Sequence, residues 1–234
     1  MYFVDVLRRI KAIKSVNGCL LKTIIYNWKY LPLRYAKYLP IVVGKRVKIK
    51  GKGRILLSEE IVMPATKMYI GLNALKWAGE WETVISLDGN LVINGEHFFV
   101  GSGSAIEISK EASLICGDNF NVTGKTTIIC RKKIEFSENC LLSWDTLIMD
   151  TDAHTIVSEN GEKNVNKRIK FGENTWICAK SNVLSGSELA RNTVIGCGSV
   201  VKGVCEEENV VLAGNPARVV KRGIDWNNEA PANE

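Results

Sequence analysis

The stretch FGENTWICAKSNVLSGSELARNTVIGCGSVVKGVC, residues 171–205, decides the fold of this chain. An aliphatic or aromatic residue recurs in it at every sixth position, and a small or short side chain follows each one four positions later. A step of six is about 1.67 turns of an α-helix, so a helix would scatter the apolar side chains around its axis. The period is typical of a parallel β-helix, in which three six-residue units make one triangular coil. The apolar series is Phe171, Ile177, Val183, Leu189, Ile195 and Val201, and the small series is Thr175, Ser181, Ser187, Thr193, Ser199 and Cys205.

The regular spacing is interrupted once in the second half of the chain. It occurs upstream at Phe136, Leu142 and Ile148, but the step from Ile148 to Phe171 is 23 residues, which is not a multiple of six. We therefore expect an inserted polar loop near residues 149–168. Loops carried by rigid scaffolds are where binding and catalytic residues concentrate, so we expect function in this insertion.

Three regions follow from these patterns. Residues 1–40 are predicted to be a basic helical capping segment, 41–222 a β-helix domain and 223–234 a polar tail. Residues 41–98 are β-rich but irregular and predict early, imperfect coils. A hydrophobic share of 46% with 24% charged residues is ordinary for a soluble globular protein and predicts neither disorder nor a membrane-embedded body.

Cysteine usage predicts a reducing compartment. The seven cysteines are an odd number and form neither a CxxC pair nor a Cys/His cluster with zinc-ligand spacing. Cys116, Cys140, Cys178 and Cys197 lie among aliphatic or small residues, so we expect them to be buried free thiols. The N-terminus also lacks an apolar run that ends in a cleavage site, which favours a cytoplasmic protein.

Four stretches of the chain resemble the hexapeptide-repeat acyltransferases, in particular the sugar O-acetyltransferases of bacterial surface-polysaccharide synthesis. The resemblance implies an all-β chain folded as a left-handed parallel β-helix, a homotrimer with active sites between neighbouring β-helices, and acetyl-CoA as acyl donor to a saccharide or glycan hydroxyl. Two alternatives stay open, namely N-acetylation of an amino sugar nucleotide and a non-catalytic solenoid that binds a partner. The four stretches are SWDTLIMDTDAH (143–154), FGENTWICAKSNVLSGSEL (171–189), NTVIGCGSVVK (192–202) and VLAGNPARVVKR (211–222).

Acetyl transfer to a hydroxyl needs a base, because an alcohol is a poor nucleophile while it keeps its proton. Of the two histidines, His154 lies in the insertion and aligns with the catalytic histidine of the resembling family, whereas His97 is predicted to be structural. A base also needs an acceptor on its other ring nitrogen. Asp152 is our first choice, since Asp-x-His places both residues in one short loop, and Asp150 and Asp145 are the other nearby carboxylates. Aspartates at such positions are also typical of turn caps.

The resemblance further implies a surface for acetyl-CoA. Trp176 matches a position that packs near the acetyl end of the cofactor in relatives, and the alternative is a corner aromatic of the solenoid. Small side chains suit the approach of pantetheine amides to the backbone, and basic ones suit the adenosine phosphates. The small residues are Ala179, Cys197 and Gly198, and the basic residues are Lys202, Arg218, Lys221 and Arg222. No metal is expected, because a zinc site like that of carbonic anhydrases with this solenoid shape needs three histidines.

Positive charge is concentrated at one end of the chain. Residues 1–54 contain fourteen Lys/Arg and one acid, Asp5, whereas the other residues contain 17 Lys/Arg and 24 acids. The basic residues are mixed with tyrosines and a tryptophan, which suits a peripheral contact at the inner face of an anionic membrane. A cap over the edge of the first coil is the other main interpretation. We expect no nucleic acid partner, since no recognised binding module is present.

Overall fold

The structure, a computed structural model, describes residues 2–61, 66–73, 79 and 81–229, with side chains from residue 8 onward. Residue 1 of the predicted capping segment and residues 230–234 of the predicted tail lie outside the described residues. Three helices precede the first strand: α1 (Tyr2–Ser15), α2 (Leu20–Tyr30) and α3 (Leu33–Ala36). No helix among the described residues is both long enough and apolar enough to cross a membrane.

Three sheets of parallel strands form the three faces of the predicted β-helix, which confirms the left-handed parallel β-helix fold. Each coil adds one strand to each face. Face 1 contains β1 (Ile41–Val43), β4 (Lys67–Leu72), β7 (His97–Gly101), β10 (Phe120–Val122), β13 (Leu141–Leu142), β16 (Trp176–Ile177), β19 (Thr193–Ile195), β22 (Val210–Gly214) and the antiparallel β23 (Ala217–Arg222). Face 2 contains β2 (Val47–Lys50), β5 (Thr83–Leu87), β8 (Ala105–Ile108), β11 (Thr127–Cys130), β14 (Leu147–Met149), β17 (Asn182–Val183) and β20 (Val200–Val201). Face 3 contains β3 (Arg54–Leu57), β6 (Asn90–Asn94), β9 (Ser113–Gly117), β12 (Lys133–Phe136), β15 (Ile169–Phe171), β18 (Glu188–Leu189) and β21 (Val204–Cys205).

The core runs along the axis of the β-helix, as the six-residue period predicts. All six members of the apolar series are buried. Upstream of them, phenylalanine rings form a column, in which Phe120 lies 4.9 Å from Phe136 and Phe136 stacks on Phe171 at 4.4 Å between ring centroids. In the small series, hydroxyls bond to carbonyl oxygens of the turns, for example Thr175 Oγ1 to Gly172 at 2.7 Å. The hydroxyl therefore satisfies a buried carbonyl as well as fitting a tight corner.

The predicted insertion is present between β14 and β15. It comprises residues 150–168, called here the inserted loop, and it leaves the coil at the corner between faces 2 and 3. The corner between faces 3 and 1 is built differently, from asparagines with φ between 53° and 58° whose side-chain amides bond from coil to coil. Asparagine tolerates this left-handed conformation better than most residues do. These asparagines are Asn119, Asn139, Asn174, Asn192 and Asn209.

Helix α2 covers the open edge of the first coil. On β1, the Val43 N–H donates to Thr23 Oγ1 at 3.0 Å, and the Ile41 N–H donates to Asn27 Oδ1 at 3.1 Å. The Asn27 amide in turn donates to the Ile41 carbonyl at 2.7 Å. A first strand has no preceding coil to bond to, so these side chains replace the missing main-chain partners. Helix α2 thus supplies hydrogen-bond partners to the open edge of β1.

Candidate active site

A buried carboxylate fixes the start of the inserted loop. Asp150 is fully buried, and its oxygens accept hydrogen bonds from the N–H groups of Arg131, Lys132 and Lys133 at 2.6, 2.8 and 2.8 Å. Its own carbonyl accepts a hydrogen bond from Ser185 Oγ at 3.0 Å. The Asp150 carboxylate therefore ties the start of the loop to the coil before it, and the Asp150 main-chain carbonyl ties it to the coil after it. The carboxylate acts as a turn cap, one of the two roles that the sequence left open.

The chain then turns sharply to present His154. Ala153 has φ 60°, an uncommon conformation for a residue with a Cβ, and its N–H donates to Thr151 Oγ1 at 3.0 Å. The His154 N–H donates to the Asp152 carbonyl at 2.7 Å, which closes the turn. Strained residues of this kind cluster at functional sites. The turn leaves the His154 side chain exposed.

Asn164 holds the far side of the same turn. Its side-chain amide donates to Asp152 Oδ2 at 2.8 Å and to the His154 carbonyl at 3.0 Å, and its Oδ1 accepts from the Ile156 N–H at 2.8 Å. Among the described residues, no hydrogen bond joins the Asp152 carboxylate to the His154 ring. Asp152 thus reaches His154 through Asn164.

His154 lies on the wall of an open cavity of about 520 Å³. The wall is mostly polar and is formed by the inserted loop and by Arg131 from the coil below it. Asp145 is exposed at the corner between faces 1 and 2, so β14 separates it from this cavity. In the part of the chain that the structure describes, no group of three or more His, Cys, Asp or Glu side chains could hold a metal ion. The lining residues are Arg131, Thr151, Ala153, His154, Thr155, Asn164, Val165 and Asn166.

The small residues expected at the cofactor come together at a different corner, between faces 1 and 2. The Gly198 N–H donates to the Ala179 carbonyl at 3.0 Å, so the corners of two successive coils are stacked. Gly198 has φ 70°, and a Cβ there would meet no atom within 4 Å. The left-handed backbone conformation therefore accounts for a glycine at this position, and the surface beside Gly198 is open.

One expectation about the thiols is wrong. Cys116, Cys140 and Cys178 are buried as predicted, but Cys197 is exposed, because it lies two positions after the inward Ile195, at the outer part of the corner, whereas Cys178 directly follows the inward Ile177. Burial, with Cys197 as a second cause, raises the pKa of the Cys178 thiol to about 12. Burial likewise raises the pKa of Cys130 to about 12, with the nearby Asp150 carboxylate as the next cause. Both of these thiols stay protonated at neutral pH.

Trp176 lies on the outer side of face 1. Its indole N–H donates to Ser143 Oγ at 3.1 Å, and its ring packs 5.6 Å from that of Trp226, which reaches back from the tail. The Trp226 indole N–H donates to the Asn174 carbonyl at 2.8 Å, so this part of the tail is anchored. These contacts give Trp176 a structural role whether or not it also touches a cofactor.

The basic residues are distributed over the end of the solenoid. Lys202 is exposed at the corner between faces 2 and 3, and Arg218 and Lys221 are exposed on β23. Arg222 forms an ion pair with Glu207, with 2.5 Å between Nε and Oε1. Lys202 therefore lies at the same corner of the triangle as the inserted loop, whereas Ala179, Cys197 and Gly198 lie at the corner between faces 1 and 2. Within one chain the His154 cavity and this open corner are on different edges of the β-helix.

Two residues of the cavity wall were missed by sequence reasoning. Asn164 lies ten residues after His154 in a polar segment, and Arg131 belongs to the preceding coil, so neither stands in a recognisable motif with the histidine. Counting coils would have placed Arg131 under the insertion, because it follows β11 as the loop follows β14. His97 lies on β7 with its Nδ1 3.8 Å from Asp118 Oδ1, outside this cavity.

The chain is similar in sequence to curated proteins and in fold to solved structures. No family model matches the chain. An uncharacterized 24.8 kDa protein in the cps region of Klebsiella pneumoniae is 27% identical over 230 residues, which cover 97% of this chain and 99% of that protein. The polysialic acid O-acetyltransferase of Neisseria meningitidis is 35% identical over 105 residues, which cover 44% of this chain and 49% of that protein. A solved structure of a polysialic acid O-acetyltransferase has a TM-score of 0.51 at 22% identity, covers 82% of this chain and 88% of that one, and shares the fold.

Proposed function

We propose that this chain, whose resemblance to the hexapeptide-repeat acyltransferases is confirmed by its relatives and its fold, transfers the acetyl group of acetyl-CoA to a saccharide or glycan hydroxyl. One observation carries the proposal beyond the likeness to relatives. An exposed imidazole, that of His154, is held by a hydrogen-bonded turn on the wall of an open, polar cavity. Such a cavity suits a polar acceptor, and the fixed turn suits a base that must be aimed.

The His154 ring is proposed as the general base. It takes the proton of the acceptor hydroxyl while the hydroxyl oxygen attacks the carbonyl carbon of the thioester. The new C–O bond forms and the C–S bond breaks, and the proton held by the imidazole passes to the departing thiolate. The products are an acetyl ester and the free thiol of CoA.

Asp152 and Asn164 are proposed to position this base. The Asp152 carboxylate holds the Asn164 amide, which in turn holds the His154 carbonyl. Hydrogen bonds hold the His154 backbone at both its N–H and its carbonyl. The Cα position and the direction of the Cα–Cβ bond are therefore fixed, which limits where the ring can lie. Asp152 is thereby proposed as a residue of the inserted loop that positions His154 through Asn164.

The cofactor surface is proposed to be the open corner between faces 1 and 2. Ala179, Cys197 and Gly198 leave it uncovered, so pantetheine amides could lie against the stacked turns. Trp176 is proposed to border the acetyl end. Exposed cations suit the phosphates of the adenosine part, and those assigned to it are Lys202, Arg218 and Lys221.

A homotrimer is proposed because the His154 cavity and the open corner lie on different edges of one β-helix. Parallel packing of neighbouring copies would set the corner of one chain beside the loop of the next. The chain is further proposed to work in the cytoplasm, with a peripheral contact at the inner face of an anionic membrane. The excess of positive charge in residues 1–54 supports that contact.

The proposal is tested by incubating purified protein and acetyl-CoA with a panel of soluble saccharides and glycans and measuring release of free thiol. We expect release with at least one acceptor and a product whose acetyl group is removed by mild alkali, as an ester is. An alkali-stable product on an amino sugar nucleotide would establish N-acetylation instead. Absence of both thiol release and acetyl-CoA binding by calorimetry would leave a non-catalytic solenoid.

A further inference from the structure

Helix α2 has its polar side inward and its apolar side outward. Thr23, Asn27 and Tyr30 are buried against the first coil. On the opposite side, large apolar side chains are exposed, whereas the surface helix of a globular protein usually turns such residues toward the core. This outward apolar face consists of Leu21, Ile24, Ile25 and Trp28, which are 68%, 39%, 48% and 55% exposed.

The capping role of α2 explains only its inward side. That side is polar because it must supply donors and acceptors to the open edge of β1 and to β2, as when the Tyr30 hydroxyl donates to the Ile49 carbonyl at 3.3 Å. Exposed polar residues opposite would serve the cap equally well. The capping contacts therefore do not account for the outward apolar face, and Leu33, the first residue of α3, is a further exposed apolar side chain at 64%. Contiguous apolar surface of this kind marks an interaction site.

Charge decides what the outward apolar face fits. The chain around it is strongly basic, since residues 8–54 contain fourteen Lys/Arg and no Asp or Glu, and the acid that pairs with one of these cations is Glu59, 3.9 Å from Arg34. Lys29 is exposed on α2, and Arg34 and Lys37 are exposed on α3 and directly after it. Each lies over a neighbouring tyrosine ring, with distances to the ring centroid between 4.7 and 4.9 Å. A second copy of the same surface would bring like charges together, which disfavours self-association through it. Anionic lipid headgroups above an apolar layer complement both features.

We propose that the outward apolar face of α2 inserts into the interface of an anionic lipid bilayer, with the helix lying in the membrane plane. Trp28 and the aliphatic side chains enter the boundary between headgroups and acyl chains, while Lys29, Arg34 and Lys37 contact the headgroups. This assigns a surface to the membrane contact proposed above, and it does not depend on acetyl transfer. It also orients the solenoid, because the first coil faces the lipid and the inserted loop lies four coils away.

The test is co-sedimentation of the full-length protein with vesicles of phosphatidylcholine alone or mixed with phosphatidylglycerol, at low and high salt. We expect binding to the anionic vesicles that weakens as salt rises. The double variant Ile25→Gln with Trp28→Gln should bind at least about tenfold more weakly, since it removes apolar contact without changing charge. The control is Val204→Gln, at a valine of β21 that is 64% exposed, and this variant should bind as the wild type does.

Two results would overturn the inference: a full-length protein that fails to pellet with anionic vesicles at low salt, or a double variant that binds them as well as the wild type. A lipid-free oligomer lost in the double variant would instead identify the surface as a contact between copies. Thiol release with a soluble acceptor separates this inference from the proposed function. A double variant that loses lipid binding but keeps transfer supports both, whereas a protein that binds lipid and transfers nothing removes only the proposed function.

Discussion

Asn164 and His154 are joined by a hydrogen bond of 3.0 Å from the side-chain amide of the first to the main-chain carbonyl of the second. The bond joins residues ten positions apart in the inserted loop, and the same amide donates to the Asp152 carboxylate. It fixes the backbone from which the proposed base projects. The position of the His154 ring therefore depends on Asn164, which is hydrogen-bonded to the main chain of His154 and not to its ring.

Replacing Asn164 by alanine should lower the rate of thiol release roughly 10- to 100-fold, because a base displaced by about 1 Å loses much of its effect. The effect should appear in kcat, with the affinity for acetyl-CoA and the thermal midpoint of unfolding little changed. Asn160→Ala is the matched control, since Asn160 lies in the same loop and its Oδ1 accepts from the neighbouring Ser158 hydroxyl and Glu162 N–H. Unchanged turnover in Asn164→Ala would show that the hydrogen bonds of the Asn164 amide are not needed to position His154.

The variant Asp150→Asn should destabilise the protein by about 3 kcal/mol, because an amide nitrogen would replace an oxygen that accepts buried N–H groups. Urea denaturation measures the loss. The control is Asp145→Asn, at an exposed corner with φ 57°, where asparagine is well suited and stability should change little. Equal stability of the two variants would mean that the Asp150 carboxylate does not anchor the loop.

The regular part of the fold could be read from the sequence because each inward side chain is set by a local period. Phe171 to Val201 lie in the core for that reason alone, and the break after Ile148 located the inserted loop. Contacts between coils follow no such period. Asp150 bonds to residues 17 to 19 positions earlier, so its anchoring role could not be inferred.

Two further features show where a pattern stops being informative. The sequence predicts a helical segment over residues 1–40 but not which side of α2 faces inward, since that depends on the unpaired edge of β1 that Asn27 must satisfy. Cys197 has small neighbours, as a buried thiol would, yet its place in the hexapeptide is a corner. In the candidate site, His154 was predicted from a motif, whereas Asn164 was not, because its partners are set by the path of the loop.

Alkylation with iodoacetamide at neutral pH should modify Cys197 first, as mapped by mass spectrometry. Burial raises the pKa of Cys116 well above its ordinary value and that of Cys140 to about 12, so these thiols are protonated as well as inaccessible. They should react only after unfolding. CoA should protect Cys197 if the corner is its binding surface, and labelling unaffected by saturating CoA would place the cofactor elsewhere.

The variant Asn27→Ala should destabilise the protein by about 2 kcal/mol, because it leaves both the N–H and the carbonyl of Ile41 without partners at a buried edge. Thermal unfolding followed by circular dichroism measures the effect. Leu21→Ala, on the exposed side of the same helix, is the control and should stay within about 0.5 kcal/mol of the wild type. An Asn27→Ala variant with the same free energy of unfolding as the wild type would contradict the capping role of α2.

The central claim, that His154 removes the proton of the acceptor hydroxyl, is tested most directly by the turnover of His154→Ala, measured as thiol release with acetyl-CoA and the best acceptor from the panel. Turnover should fall about 100-fold or more, the usual contribution of a general base, while acetyl-CoA affinity and unfolding stay as in the wild type. His97→Ala, the control at the other histidine, should keep its turnover. Near-normal turnover in His154→Ala would contradict the mechanism.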